Sequence, residues 1–242
     1  MPLFSGLRPL ASVARLPLLA QRRCLGILQL GSADPERYTR AHAADFLHHL
    51  ASVASLCLQN AINRERLVVD GHTDALTRWF NRRYLNLRLP REVARAVRYK
   101  EPLSGLLLDV DHFKSINDRY GHPVGDLVLR DLADRIRAEL RSSDLAIRYG
   151  GEEFLVLLVC TAESDALRVA ERIRRRVETA PFHITEDRSL HVTVSGGLAE
   201  LSPDDAANDP AESGAAILHR ADTALYRAKA GGRNRVVRHG DA

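Results

Sequence analysis

The apolar positions of this 242-residue chain follow two spacings, and the switches between them outline the elements. Near the start, residues 13–19 and 24–30 read as two short strands, with Gln21-Arg22-Arg23 as the turn and a polar loop at 31–35. Phe46, Leu50, Val53, Leu56 and Leu58 then recur roughly every three to four positions, which predicts a long helix over 41–67. The stretch Val68-Val69-Asp70-Gly71-His72 reads as a polar hinge, so the boundary is set there: a strand–strand–helix segment over 1–67 and a larger domain over 68–242.

From Asp74 onward helices and strands interleave. Leu85, Leu89, Val93 and Val97, at four-residue steps, predict a helix over 81–99, and Pro90 predicts a break or fresh start within it. A strand over 106–110, a short helix over 113–120, a loop over 121–125 and a helix over 126–140 follow. Strands 144–149 and 152–159 form a hairpin around Gly150-Gly151, a pair that tolerates positive φ. The remainder reads as a helix over 165–178, a strand over 190–198, an acidic and dispensable loop over 202–210, a helix over 215–230 and a last strand over 235–238. Helices interleaved with a mostly antiparallel sheet predict an α+β fold.

Composition is that of a globular protein, at 45% hydrophobic, 27% charged and 5% aromatic residues, which excludes a disordered, collagen-like or disulfide-stapled chain. Of the net charge of +4, the first seventy residues carry +3 and the rest +1, so the larger domain offers no nucleic-acid face. The basic run Arg172-Ile173-Arg174-Arg175-Arg176 lies in a helical pattern and reads as a solvated helix face. Cys24, Cys57 and Cys160 are widely separated, without metal-ligand spacing, which suits reduced thiols and a cytoplasmic location. Arg8, Arg15, Arg22 and Arg23 give the start a presequence-like charge, but Arg15 and Pro17 interrupt its apolar stretch, and no apolar run approaches the roughly 18 residues of a membrane span.

Chemistry enters at Leu106-Leu107-Leu108-Asp109-Val110-Asp111, an apolar strand ending in two carboxylates that the two-residue period puts on one face. Such a pair suits a divalent cation, although Asp111 alone also suits a helix cap. In Arg148-Tyr149-Gly150-Gly151-Glu152-Glu153-Phe154, two acids follow a glycine turn that lets a phosphate or base approach the backbone, and Glu152 with Asp109 makes an all-oxygen donor set for Mg²⁺ or Mn²⁺. Ala228-Lys229-Ala230-Gly231-Gly232-Arg233-Asn234 supplies two cations beside paired glycines, suited to a triphosphate, although taken alone the segment reads first as a glycine cap closing a helix. No GxxxxGK[ST] occurs, so a P-loop is excluded.

These segments together resemble the GGDEF family of diguanylate cyclases. The matching pieces run in family order over about residues 68–238: Asp74-Ala75-Leu76-Thr77 with Asn81-Arg82-Arg83, Asp109 to Lys114 with Ile116-Asn117-Asp118, Tyr120-Gly121-His122 with Gly125-Asp126, Arg148 to Phe154, Thr193-Val194-Ser195, Ala221-Asp222 with Ala224-Leu225-Tyr226, and Ala228-Lys229 with Gly232-Arg233-Asn234. The resemblance implies a palm-like, nucleotidyl cyclase or ferredoxin-like sheet flanked by helices. It further implies condensation of two GTP into cyclic di-GMP with release of two pyrophosphates. By the same resemblance, Asp109, the Val110 carbonyl and Glu152, assisted by Glu153, hold two Mg²⁺ or Mn²⁺ ions per active site. Glu152 also helps deprotonate the attacking 3′-hydroxyl. Asn117 and Asp126 read the guanine, His122 lies beside the nucleotide, and Lys114, Lys229 and Arg233 hold phosphates. Each protomer holds one GTP, which implies a homodimer. Arg141-Ser142-Ser143-Asp144 matches the RxxD of an inhibitory product site, with an ordinary helix-end ion pair as the other reading.

Three departures stand out. The signature is Gly-Gly-Glu-Glu-Phe, Arg78-Trp79 replace the usual Gly-Leu, and Gly196 takes a position where a β-branched residue is common, which predicts a weaker strand. The first segment is similar to the C-terminal half of a GAF-type sensory domain, through Leu25-Gly26-Ile27-Leu28-Gln29-Leu30-Gly31-Ser32. A catalytically silent receptor for GTP or cyclic di-GMP is the rival to the enzyme, and retention of Asp109, Glu152 and Glu153 favours the enzyme. Another nucleotidyl cyclase is a third reading, and Asn117 and Asp126 favour guanine.

Overall fold

A computed structural model describes residues 10–20, 23–38, 44–185, 188–205 and 208–241, with residues 44 and 63–70 described by backbone alone. Arg8, the expected turn residues Gln21 and Arg22, and the expected helix start at 41–43 lie outside them. The chain divides into two compact units, residues 1–69 and 70–242.

The first unit pairs β1 (Ser12–Ala20) with β2 (Arg23–Ser32) in an antiparallel hairpin, bulged between Leu18 and Leu19. The amide of Leu19 donates to the Ser55 hydroxyl at 3.0 Å, tying β1 to α1 (Ala44–His72). That helix runs through residues 68–72, so the expected polar hinge is helical. None of the described helices is long and apolar enough to cross a membrane.

The second unit is built on one six-stranded sheet. Its strands are β3 (Phe80–Asn81), β4 (Leu103–Val110), β5 (Leu145–Gly150), β6 (Glu153–Val159), β9 (Val194–Glu200) and β10 (Val236–Arg238). They lie in the order β10-β9-β4-β6-β5-β3, with antiparallel pairing among the inner four and parallel pairing at both edges. A small separate hairpin joins β7 (Phe182–Thr185) to β8 (Arg188–Leu190), so the single strand expected over 190–198 is two elements. The helices are α2 (Arg82–Tyr99), α3 (Phe113–Tyr120), α4 (His122–Arg137), α5 (Glu163–Thr179) and α6 (Pro210–Ala230).

All eight residues of β4 are buried because helices cover both faces. Leu106, Leu108 and Val110 point into a core with Val128, Leu132 and Ile136 of α4 and Ala170 and Ile173 of α5. Leu103 and Leu107 point the other way, toward Leu85, Leu89 and Val93 of α2 and Ile217, Ala221 and Leu225 of α6. Asp109 shares the parity of Leu107, and therefore emerges on the α6 side of the sheet.

Several expectations are corrected. Helix α2 passes through Pro90 unbroken, since the carbonyl that loses its partner belongs to exposed Asn86 and can reach water. Residues 122–125 begin α4 instead of forming a loop: Pro123 suits a first helical turn, and Gly125 is there for packing, because a Cβ on it would lie 2.0 Å from Asn117 Oδ1. Within the acidic stretch after Leu201, Asp205 is buried and ion-paired to Arg220 at 2.5 Å, so the described part of that loop is structural. Gly196 does not leave a loose strand, since a Cβ there would already meet Leu108 at 3.1 Å and Val236 at 3.2 Å. The arginine run on α5 does form the solvated helix face expected of it, with Arg172, Arg175 and Arg176 exposed, and it is ion-paired there, Arg172 and Arg176 on Glu139 and Arg174 on Glu171 and Glu178.

Candidate active site

The site forms where the end of β4 lies beside the start of β6, just after the tight bend that joins β5 to β6. Asp109 is the direct cross-strand partner of Glu153, so both carboxylates share the α6 face. Gly151, at φ +45°, makes the bend in a conformation that a larger side chain would strain, and it brings Glu152 close enough that its charge raises the proton affinity of both Asp109 and Glu153. From the last turn of α6, the Lys229 ammonium reaches the Asp109 carboxylate at 2.8 Å.

Burial is the largest influence on Asp109, pushing its carboxyl above the usual range; Lys229 opposes the rise, and Glu152 and Asp111 add to it. Glu153 is likewise pushed up by burial, then by Asp109, with Lys229 opposing and Asp222 and Glu152 reinforcing. Three hard oxygen donors that destabilise one another's charge fit a divalent cation, which relieves that repulsion. Among the described residues no three acidic, histidine or cysteine side chains form a closed cation cage, and Lys229 supplies the positive charge at Asp109.

Asp111 fills neither role that its sequence position suggested. Its carboxylate accepts the Thr193 hydroxyl at 2.7 Å, the Ser195 hydroxyl at 2.7 Å and the Asn234 amide at 3.0 Å, while His112 is the residue that precedes α3. It therefore anchors β9 and the loop after α6 beneath the site. This fixes the descent of the 231–234 loop, in which Gly232, Arg233 and Asn234 all have positive φ.

The other expected residues lie on α3, α4, the turn after α4 and the loop after α6. The side chains of Lys114, His122 and Arg233 are exposed, Asp126 is half-buried, and none of the four makes a hydrogen bond or ion pair among the described residues. Asn117 packs over Gly125 and Phe113, and its Oδ1 is a buried acceptor without a donor. Arg141 and Asp144 close a turn, with the Arg141 amide donating to the Asp144 carboxylate at 2.9 Å and the Asp144 amide donating to the Arg141 carbonyl at 3.1 Å. They line a cavity of about 420 Å³ together with Glu139, Arg168 and Arg172, residues that sequence reasoning had not joined to the turn.

Sequence reasoning also missed the clamp on the bend. Arg148 donates to the Gly151 carbonyl at 3.1 and 2.8 Å and to both Asp74 carboxylate oxygens at 3.0 and 3.1 Å. Asp74 in turn accepts the amide and hydroxyl of Thr77 at 2.8 Å each, and its carboxyl is held below the usual range by these bonds and by Arg148, against the opposing effect of burial. The signal was present, since both residues lie in the quoted motifs, but nothing in their spacing of 74 positions says that they meet.

Residues 71–235 match the family described as "Diguanylate cyclase, GGDEF domain". Among curated proteins, the response regulator PleD of Caulobacter vibrioides is 48% identical over 166 residues, covering 68% of this chain and 35% of PleD. Diguanylate cyclase A of Treponema denticola is 37% identical over 226 residues, covering 92% of this chain and 58% of that protein. The chain thus spans about a third of one and under two thirds of the other. Among solved structures, the coiled coil and GGDEF domain of DgcB from Caulobacter crescentus, in complex with c-di-GMP, superposes with a TM-score of 0.73 at 33% identity, covering 80% of this chain and 99% of that one. The active GGEEF domain of a diguanylate cyclase from Vibrio cholerae gives 0.60 at 37% identity, covering 67% and 98%.

Proposed function

Because the chain belongs to the GGDEF family of diguanylate cyclase domains, we propose that it condenses two GTP into cyclic di-GMP and two pyrophosphates. In each of two equivalent steps, a ribose 3′-oxygen bonds to the α-phosphorus of the other nucleotide, the bond to pyrophosphate breaks, and the 3′-hydroxyl proton passes to a base. The observation that carries the reading is the meeting of Asp109, Glu152, Glu153 and Lys229 beside the Gly151 bend.

Glu152, on the bend itself, is the acceptor for the 3′-hydroxyl proton. Asp109, the Val110 carbonyl and Glu152, with Glu153 beside them, would hold two Mg²⁺ or Mn²⁺ ions, which supply neutralisation of phosphate charge and a more acidic 3′-hydroxyl. Lys229 exchanges its carboxylate partner for triphosphate oxygens, and Lys114 and Arg233, exposed and unpaired among the described residues, join it there. The orphan Oδ1 of Asn117 accepts from a guanine N–H, Asp126 accepts from its neighbours on the same edge, and His122 lies alongside the nucleotide.

One GTP per protomer requires two protomers facing each other, and α1 is the element to hold them as a parallel stalk. The solved relative that joins a coiled coil to a GGDEF domain supports that role. Arg141 and Asp144 form the inhibitory product site, where Arg168 and Arg172 line the adjoining cavity.

The test is incubation of the purified chain with GTP and Mg²⁺, followed by anion-exchange chromatography of the nucleotides. A dimeric sample yields cyclic di-GMP, whereas Glu152→Ala yields none at an unchanged thermal midpoint. Absence of cyclic di-GMP from a confirmed wild-type dimer would refute the proposal.

A further inference from the structure

The Arg141–Asp144 turn borders two cavities whose arginines are matched very differently. In the cavity of about 420 Å³, Arg168 is ion-paired to Asp165, and Arg172 donates to the Glu139 carboxylate at 2.7 Å and to its carbonyl at 3.0 Å. In the other, of about 410 Å³, Arg78, Arg137 and Arg141 line the wall with Asp144 as the single acid. None of these three guanidinium groups makes an ion pair or hydrogen bond among the described residues, and Arg137 instead lies 5.7 Å over the ring of buried Trp79. Phe80 and Tyr84, stacked at 3.9 Å between centroids, complete the cavity.

Arg78 is held at φ 60°. A long side chain in that left-handed region is strained, and glycine would avoid the strain. The chain instead keeps a cation there, beside two others without carboxylate partners. Strain and uncompensated charge at one cavity, next to aromatic rings, call for an anion that carries a flat ring system.

We propose that Arg78 and Arg137 form a second phosphate subsite of the inhibitory site. One phosphodiester of cyclic di-GMP lies on Arg141, the other lies between Arg78 and Arg137, and a guanine packs toward the Phe80–Tyr84 wall. A cyclic dinucleotide suits this cavity because its two phosphates sit on one closed ring, so they can engage cations on either side of one arginine. The forked guanidinium groups match phosphate oxygens two at a time. The inference rests on reading Arg141–Asp144 as the product site.

Calorimetric titration of the full chain with cyclic di-GMP, at low and at moderate salt, tests it on wild type, Arg78→Gly, Arg137→Gln and Arg141→Ala. Arg78→Gly relieves the strained turn, so its thermal midpoint is at least that of wild type. Its dissociation constant rises about tenfold, equivalent to about 1.4 kcal/mol, with a shallower salt dependence; Arg137→Gln moves the same way, and Arg141→Ala loses most binding. Wild-type affinity in Arg78→Gly and Arg137→Gln, with loss in Arg141→Ala, overturns the second subsite and leaves the product site standing. Unchanged affinity in all three variants, or no binding by wild type, overturns both. GTP titrated in parallel binds Arg78→Gly as it binds wild type, and an equal loss of GTP affinity would mark a general disturbance and overturn the subsite.

Discussion

Replacing Gly197 by alanine asks how closely α6 must lie on the sheet. A Cβ at this position of β9 would stand 2.0 Å from the Ala221 carbonyl oxygen, 2.2 Å from the Leu225 nitrogen and 2.8 Å from the Leu225 Cα. All three are backbone atoms in the middle of a 21-residue helix, so no rotamer change relieves the clash. Reaching ordinary contact of about 3.4 Å means that α6 retreats by about 1.4 Å, and a gap of even 1 Å forfeits about half of each dispersion well along the seam. Ile217, Ala221, Ala224, Leu225 and Ala228 are all buried there. The expected loss is about 3 kcal/mol, at the upper end of overpacking effects. Urea unfolding followed by the fluorescence of Trp79, the one tryptophan and fully buried in this unit, measures it directly. Gly214→Ala meets only the Leu89 side chain, at 2.8 Å, and should fall between Gly197→Ala and Gly240→Ala, which meets nothing within 4 Å. A Gly197→Ala protein within 0.5 kcal/mol of wild type, the ordinary scatter of surface changes, would show that α6 is free to shift and would refute the reasoning.

Three further outcomes follow from buried charges. The Asp205 carboxyl is lowered from 3.8 to about 2, first by Arg220, so its contribution is complete above about pH 4 and disappears as pH falls toward 2. Asp205→Asn should cost about 2 kcal/mol at pH 7, and pH-dependent unfolding should show that difference closing between pH 4 and pH 2. Asp111→Ala strands two hydroxyls and one amide, and equilibrium unfolding should report a loss of about 3 kcal/mol. Lys229→Met leaves Asp109 buried beside Glu152 and Glu153 without its cation, so thermal unfolding should drop by several degrees, and added Mg²⁺ should raise the midpoint more in the variant than in wild type.

The regular part of the second unit was legible because its signals are local. Four-residue steps marked α2 and α4, and the run ending at Asp109 marked β4. What escaped was set by partners distant in sequence. β3 is two residues long and exists through its parallel pairing with β5. Local rules put Gly125 in a loop and read Gly196 as weakening a strand, yet both are packed tightly, against Asn117 in one case and Leu108 and Val236 in the other. The same held at the site. The two acids of the bend and Asp109 were visible from their motifs, whereas the role of Asp111 and the Arg148 clamp depended on residues 82 to 123 and 74 positions away.

These long-range bonds explain how the chain tolerates an unfavourable cluster. Three carboxylates at the end of a buried sheet repel one another and are partly desolvated, so the local structure alone would let the bend relax and part them. Arg148 prevents this from outside by fastening the Gly151 carbonyl to Asp74. Asp111 prevents it from beneath by fastening β9 and the 231–234 loop, and among the described residues Lys229 supplies the opposing charge. Each fastening uses a charged group that takes no part in the proposed proton transfer, and each joins segments remote in sequence. In the proposed reaction the acids are therefore held in place before a nucleotide binds, and binding energy from its triphosphate need not be spent on assembling them.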